Sequence, residues 1–444
     1  MNNSFQFSNT QSSNKQLSVA DFKYSLESDS NEWLKDFRTD SYSSFVGQPI
    51  PSRKIEHWKY NDTAFLKNAN FQLSNGRINE DKFNPSQQIF ADAITCVFID
   101  GCYSAVNSNN TNELGICITQ FSKANRQQAD KISKILNISK QQKNSLIQLN
   151  NALASDGTYI EIKANQKISK PIYLFYVNSN QSNNQLFTNQ LVVNCGRGSE
   201  SQIIEHVVSC NMNSNQNNNL SLQQSIINLE EQSHCQHYRL NLESQTSKQV
   251  SRCLTILASH AKLNSFYYSN GSLLNKTDID VYHQGVSAEA DLTGIYLPSE
   301  EQTIDYHTNV EHQVPHCQTR ENFRGIVADS SKATFNGKIH IFKDAQKSDA
   351  QLNNKNLLLT NRAEINTKPE LEIYADDVIC AHGATIAKID DKAIYYLQTR
   401  GIDKTRAKKM LSIGFINELL DHANNKIVYQ FLHEQVQACL SDIN

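Results

Sequence analysis

The spacing of apolar residues divides the chain into a helical beginning, a long β-rich middle and a helical end. Apolar residues fall at helix-compatible intervals between about residues 20 and 45, and again from Lys123 to Ser155. Residues 91–103 lie between these segments and are typical of a strand that ends in an Asp-Gly turn. From Thr158 the periodicity becomes twofold, and short β-rich runs follow one another to about Thr399.

A recurring turn decides which β architecture the middle of the chain favours. Consecutive short strands alone fit a sandwich, a barrel, a propeller or a solenoid. A pattern of Ala-x-apolar recurs at steps of 29, 43, 30 and 21 residues, and a tight turn once per coil favours a parallel β-helix. The five copies are Ala261-Lys-Leu263, Ala290-Asp-Leu292, Ala333-Thr-Phe335, Ala363-Glu-Ile365 and Ala384-Thr-Ile386.

The end of the chain predicts two amphipathic helices. Asp403 is a suitable N-cap for a helix over Lys404–Asp421, and a second apolar stripe covers Ile427–Leu440. Such a tail either caps the open end of a solenoid or docks a partner. The predicted segments are a disordered 1–19, a mainly helical N-terminal domain 20–155, a parallel β-helix 156–398 and a helical C-terminal domain 399–444.

Charge and cysteine usage narrow the class of protein. The chain has 42 Lys and Arg against 45 Asp and Glu, so the net charge of −3 gives no reason to expect nucleic acid or an anionic membrane as partner. Ten cysteines occur without a CxxC pair, which argues against a zinc ribbon and favours small buried apolar side chains. Without an evident signal peptide or an apolar run long enough to span a bilayer, the sequence predicts a cytoplasmic protein.

The strongest chemical candidate is Cys380 with His382. Residues two apart on a strand share a face, so thiol and imidazole would lie side by side, a pair suited to iron or another borderline-soft metal. Two ligands leave the site incomplete, and the rest would come from another coil or another chain. The alternative is a buried cysteine beside a surface histidine. No GxxxxGK[ST] run is present, so no nucleotide site of its own is expected.

We interpret the remaining clusters of histidines and acidic residues as structural. We expect His307, His312 and His316 to be surface and turn histidines. The pairs Asp376-Asp377 and Asp390-Asp391 suit turns. A solenoid can display acids across a groove, however, so a β-helix enzyme or binder acting on polysaccharide stays an alternative in a different class.

The residues around Cys380 and His382 resemble a known protein family. The run from Lys368 to Ile402 is similar to the signature of the SufB/SufD family of iron–sulfur cluster assembly proteins. Its Cys380-Ala-His382-Gly-Ala-Thr385 segment and the following YLQTRGI resemble the SufD branch, which argues against the alternative of a SufB-like sister subunit. Further agreement comes from Trp58-Lys-Tyr60, Asp305-Tyr-His307, Phe323-Arg-Gly325 and Phe335-Asn-Gly337.

The resemblance implies a non-catalytic scaffold built on a right-handed parallel β-helix between helical domains. It implies a SufB-like subunit paired through the β-helices, and a nascent iron–sulfur cluster shared at that interface, with His382 favoured over Cys380 as the contributing residue. It also implies docking of a SufC-like ABC-type ATPase on the C-terminal helices. A homodimer of the isolated chain stays open, and no flavin is assigned. The expected docking residues are Thr399, Arg400, Gly401, Ala407, Met410, Leu411 and Phe415.

Overall fold

The chain folds as a two-sheet solenoid with helices on both outer faces. The computed structural model describes residues 4–6, 31–68, 70–74, 87–109, 115–140, 144–179, 183–210 and 218–441. The α-helices are α1 Glu32–Val46, α2 Ala64–Asn68, α3 Arg126–Ser139, α4 Ser145–Leu153, α5 Asp391–Thr399, α6 Lys404–Leu420 and α7 Lys426–Cys439, with 3₁₀ turns at Glu56–Trp58 and Phe121–Lys123.

Twenty-one strands are distributed over the described residues. They are β1 Ser4–Gln6, β2 Asn70–Leu73, β3 Ile94–Ile99, β4 Cys102–Asn109, β5 Ile116–Gln120, β6 Thr158–Ile162, β7 Ile172–Asn178, β8 Gln185–Cys195, β9 Glu200–Ser209, β10 Leu220–Leu229, β11 His234–Leu242, β12 Lys248–Leu257, β13 Lys262–Ser269, β14 Leu274–His283, β15 Glu289–Tyr296, β16 Thr303–His312, β17 Gln318–Val327, β18 Lys332–Ile341, β19 Asp349–Leu358, β20 Glu364–Ile373 and β21 Ile379–Lys388.

Successive strands alternate between two parallel sheets. Sheet A contains β1, β2, β5, β6 and the even-numbered strands from β8 to β20, and sheet B contains β3, β4 and the odd-numbered strands from β7 to β21. Each strand therefore pairs with the strand one coil later: Leu220 pairs with Lys248, and Lys248 with Leu274. The predicted parallel β-solenoid, of about seven turns, is confirmed.

The turn that repeats is not the one the sequence suggested. Ala290 pairs with Leu263 rather than with Ala261, and Ala333 belongs to sheet A, so the Ala-x-apolar copies are not equivalent positions. The true repeat is a residue with positive φ, two positions before each odd-numbered strand from β9 to β19, followed by a small buried residue. Its copies are Gly198-Ser199, Gln232-Ser233, His260-Ala261, Ser287-Ala288, His316-Cys317 and Lys347-Ser348.

Helices cover the outer faces of both sheets. On sheet A, α1 and α3 contribute Leu34, Phe37 and Leu136 to an apolar layer that also contains Ile226 and Leu254. On sheet B, α6 and α7 place Ile416, Leu420, Val428 and Leu432 among buried side chains of β9 to β17. At about 25 cal/mol per Å² of apolar surface, this burial holds the helices on the solenoid. The tail therefore lies along sheet B and does not close the end of the coil stack.

Several predicted elements are confirmed. The helix predicted over Lys404–Asp421 is α6, and the side chain of Asp403 accepts a hydrogen bond from the Arg406 amide as its N-cap. The strand with an Asp-Gly turn predicted within residues 91–103 is β3, and the turn joins it to β4. The helix predicted over Lys123–Ser155 is instead two helices, α3 and α4.

The predicted division into segments stays a prediction, and the elements lie as follows. The segment predicted to be disordered lies outside the described residues, except for Ser4–Gln6, which form β1. Strands β3 to β5 fall within the range predicted to be mainly helical, and they belong to the solenoid sheets. Helix α5 begins at Asp391, a few residues before the predicted boundary at 399.

The two ends of the coil stack differ. At the first end, the edges carry antiparallel pairs: β3 with β4 in sheet B, and β1 with β2 and β5 with β6 in sheet A. At the last end, the described residues contain no strand that pairs with the outer edge of β20 or β21. The final coil is therefore open, and its inward-facing side chains are accessible.

Candidate functional site

Cys380 and His382 lie on the open last coil and face its interior. In the register of β21 with β19, Cys380 pairs with Ala350 and His382 with Leu352. Ala350 and Leu352 are buried in the solenoid core, and side chains stacked in register point the same way. Cys380 and His382 thus share a face, as the sequence predicted. They would be core residues if another coil lay over them.

The two side chains differ in exposure and therefore in chemistry. Cys380 is half-buried and packs against the core, and burial raises the pKa of its thiol. The thiolate is the metal-binding form, so a raised pKa weakens Cys380 as a ligand. His382 is exposed, and within the described residues it makes no hydrogen bond or ion pair. Its imidazole is available to a partner or a metal.

A buried acid lies beneath His382 in the same column of stacked residues. Glu321 pairs with Leu292 on one side and with Leu352 on the other, and Leu352 in turn stacks under His382. Burial raises the pKa of Glu321 to about 8, although Thr308 opposes the shift. Sequence reasoning missed this residue, because only the register shows that it points inward.

The paired acids near the last coil serve the backbone. The amide of Asp377 donates to the Gln346 side chain at 2.9 Å, and its carboxylate forms an ion pair with Lys347. The carboxylate of Asp390 caps α5 by accepting from the Lys392 amide at 2.9 Å. Asp376 and Asp377 lie in the bend between β20 and β21, as expected, whereas Asp390 caps α5 and Asp391 is its first residue, so the second pair begins a helix.

The expectation for the histidines of β16 and the following turn is partly wrong. His307 and His312 are buried, because β16 is covered on both faces. His312 shares the hydroxyl of Thr319 with His283, each at 2.9 Å, and burial lowers the pKa of His312 to about 4. His316 does lie in a turn, with a φ of 63°.

A second missed cluster lies inside the first coils. Glu205 accepts from Arg239 at 2.7 Å and Ser225 at 2.6 Å, and its other oxygen lies 3.0 Å from His237. Burial raises the pKa of Glu205, but Arg239 and His237 outweigh it and lower the value to about 2. Cys253 offers a further candidate ligand atom, within 4.8 Å of those of Glu205 and His237, and all three residues are buried. We interpret the cluster as a buried ion-pair network.

The residues expected to dock an ATPase are divided between surface and interior. Thr399, Arg400, Gly401 and Met410 are exposed. Ala407 is fully buried. Docking through these helices is a prediction that the isolated chain leaves untested.

The remaining two expected residues, Leu411 and Phe415, are partly buried. Phe415 packs under the guanidinium of Arg324, whose carbon lies 5.2 Å from the ring centroid. The exposed aromatic side chains of Tyr395 and Tyr396 on α5 add to the accessible surface of the tail, although sequence reasoning did not single them out. No helix among the described residues is long and apolar enough to cross a bilayer.

The fold is thus a parallel β-solenoid with helices on both outer faces and one open end among the described residues. Comparison with known sequences is more specific. The family model described as the SUF system FeS cluster assembly SufBD core domain matches residues 175–415, and that of the SufBD protein N-terminal region matches residues 13–174. The chain belongs to the SufBD family of iron–sulfur cluster assembly proteins.

Curated relatives place the chain nearer to one branch of that family. It is 30% identical over 374 residues to the iron–sulfur cluster assembly protein SufD of Escherichia coli strain K12, covering 84% of this chain and 85% of the relative. It is 23% identical to SufD of Bacillus subtilis strain 168, over 87% of this chain and 90% of the relative. A SufBD family protein of Synechocystis is 26% identical over 88% and 87%. The chain is therefore SufD-like.

Proposed function

We propose that the chain is a non-catalytic scaffold subunit of a cytoplasmic SufBCD-type complex for iron–sulfur cluster assembly. A SufB-like subunit binds the open end of the solenoid, and the nascent cluster is held as cargo between the two chains. The observation that carries the proposal is that Cys380 and His382 face the interior of a coil above which the described residues place no further coil.

The open end has the properties of an interface. Leu371 and Ile386 face inward on β20 and β21, in register with the buried Ile339 and Asn356, and Ile386 is 45% exposed. The outer edges of both strands also carry backbone groups without a strand partner among the described residues. A solenoid end of this kind requires a cap or a partner. A SufB-like β-helix would continue the stack and bury these apolar side chains.

His382 is the better of the two ligands for the cargo. Its imidazole is exposed, and a neutral imidazole binds iron without first losing a proton. The thiol of Cys380 has a raised pKa, which docking of a partner would raise further by deeper burial. Ligands from the SufB-like chain would complete the site.

Nucleotide hydrolysis in such a complex belongs to a SufC-like ATPase. The exposed part of the tail, with Arg400, Met410 and the two tyrosines of α5, is the surface we assign to it. Helices α6 and α7 pack on sheet B, and the last strand of that sheet is β21, which carries His382. A docked ATPase would therefore be connected to the open coil through this sheet.

The experiment that tests the cargo site is His382→Ala in the complex co-expressed with the SufB-like and SufC-like subunits. We expect the three chains to stay together, because the substitution keeps the apolar Leu371 and Ile386 of the interface, while the iron and acid-labile sulfide per complex fall several-fold. His340→Ala, at a histidine on the outer face of β18, is the matched control and should keep the full yield. A full cluster yield from His382→Ala would refute the assignment.

A further inference from the structure

A groove on the outer face of sheet A has no part in the proposed subunit interface. It measures about 470 Å³ and lies where the 3₁₀ turn Glu56–Trp58 passes over β14 and β16. Its side chains point away from the solenoid interior, whereas Cys380 and His382 point into it. Any chemistry in the groove is therefore separate from that of the open coil.

Three potential metal ligands converge in this groove from distant parts of the chain. His57, Asp278 and His307 each offer one ligand atom, and these atoms all lie within 4.8 Å of one another. Nε2 of His57 lies 2.9 Å from Oδ1 of Asp278, and the two imidazole centroids are 4.1 Å apart. Asp278 and His307 are held side by side by the register of β14 with β16. Two imidazoles and one carboxylate are a typical ligand set for first-row transition metals.

Neighbouring polar groups orient two of these three side chains, Asp278 and His307. Asn144, at the start of α4, donates to Oδ2 of Asp278 at 2.7 Å and leaves Oδ1 facing His57. Oδ1 of Asp305 lies 2.9 Å from Nε2 of His307. A carboxylate on one nitrogen of a histidine is the arrangement that orients metal-binding histidines through their second nitrogen. Asp278 and His307 are therefore held in place by neighbouring side chains, as metal ligands commonly are.

The charge around the triad accommodates a cation. Asp278 and Asp305 are both buried, and the single ammonium of Lys276 lies 3.5 Å from the first and 3.1 Å from the second. One ammonium offsets one of the two carboxylates. Beyond the triad the groove is more acidic than basic, which favours entry of a dication. Its other charged lining residues are Glu56, Asp280, Glu311, Lys338, Lys368 and Glu370.

We propose that His57, Asp278 and His307 bind a divalent first-row transition metal ion, with water from the groove in the remaining coordination positions. Three protein ligands beside open space leave the ion exchangeable, unlike a closed structural site. A direct contact of His57 with Asp278 that involves no metal is the rival explanation. The proposal concerns the isolated chain and does not depend on the proposed function.

Metal titration of the purified full-length chain separates the two explanations. After treatment with a chelator, Co²⁺ is added and its visible ligand-field absorption is followed, and Zn²⁺ and anaerobic Fe²⁺ are titrated by calorimetry. We expect one equivalent to bind at this site. Because His57 is partly exposed, His57→Gln should leave the fold intact and weaken binding at least about 100-fold.

Two controls make the result specific. His340→Gln, at an outer-face histidine of β18 paired with Glu372, should bind the metal as the unsubstituted chain does. Bound metal should also raise the melting temperature of the unsubstituted chain but not of His57→Gln. If the unsubstituted chain binds no metal, or if His57→Gln binds it equally well, the proposal is wrong and the contact is an ion pair.

Discussion

The two ends of the solenoid differ in whether the outer edges of their sheets are covered. At the first end, the β3–β4 turn folds over onto β8, where the Asn189 side chain donates to the carbonyl of Gly101 at 3.2 Å. The amide of Ser179 also donates to Asp100 at 2.7 Å. At the last end, inward-facing His382 and Ile386 are accessible, and no strand in the described part of the chain lies above them.

The difference shows that the open end is not a general feature of the fold. The same chain covers one end with antiparallel strand pairs and part-buried hydrogen bonds, so the means to close an edge are available to it. Leaving the other end apolar and uncovered is costly for a protein that acts alone. It is explained if a second chain covers that end.

The largest expected effect comes from a pair of stacked residues, one fully buried and one partly exposed. Ile339 is fully buried in β18, and Leu371 lies directly above it in β20. Ile339→Ala should cost about 2–4 kcal/mol of unfolding free energy, because it leaves a cavity. Leu371→Ala should cost less than about 1.5 kcal/mol, because the side chain is already partly exposed. Denaturant unfolding of the isolated chain measures both. Equal losses would mean that the last coil is as closed as the one beneath it.

An effect of comparable size, dependent on pH, tests whether the interior is dry two strands below the open coil. The folded-state pKa of Glu321 is raised to about 8 by burial, against 4.5 for the unfolded chain. Below the lower value both states are protonated and the burial has no ionic cost. As pH rises towards 8 the unfolded state ionises while the folded state stays protonated, so stability is lost.

Replacing Glu321 with Gln should remove this pH dependence. Glu321→Gln should stabilise the chain by roughly 2–4 kcal/mol at pH 8 and change little near pH 4, as measured by denaturant unfolding at both values. A gain of the same size at both pH values would show that water from the open end reaches Glu321 and keeps its pKa ordinary.

The smallest effect compares two glycines, one at each end. Gly101 has a φ of 86°, and a Cβ there would collide with the backbone oxygen of Thr188, whereas a Cβ at Gly383 would meet nothing within 4 Å. Gly101→Ala should cost about 1–3 kcal/mol, and Gly383→Ala should change stability by less than about 0.5 kcal/mol. Thermal unfolding measures the difference. A neutral Gly101→Ala would contradict the tight closure of the first end.

The architecture was predictable from the sequence, but its repeat was not. Twofold periodicity over many short runs correctly predicted a β-rich middle. The choice of a parallel solenoid was also correct, although it relied on Ala-x-apolar copies that are not equivalent positions. The turn itself is marked by a positive φ, a conformation that glycine usually marks in a sequence. Here only Gly198 does so, and Gln232, His260 and Lys347 adopt the same conformation at equivalent positions. The residue types at this turn therefore gave no sequence signal from which the register of the coils could be predicted.

The candidate site was predictable only where its residues are close in sequence. Cys380 and His382 are two residues apart on one strand, so their shared face follows from the strand period. His57 and Asp278 are 221 positions apart, and no local pattern joins them. His307 was expected at the surface, because the sequence does not show that the N-terminal turn covers β16. The sequence alone did not predict the long-range strand register or the packing of the N-terminal turn on the solenoid.

The most direct test of the open end as a subunit interface uses two isoleucines of β21. Ile386 faces the interior of the last coil, whereas Ile379 is 66% exposed on the opposite face of the same strand. Each is replaced by arginine, and the chain is co-expressed with a SufB-like subunit and purified by a tag on the SufB-like chain. Ile386→Arg should abolish co-purification while Ile379→Arg keeps it. Undiminished co-purification of Ile386→Arg would contradict the account.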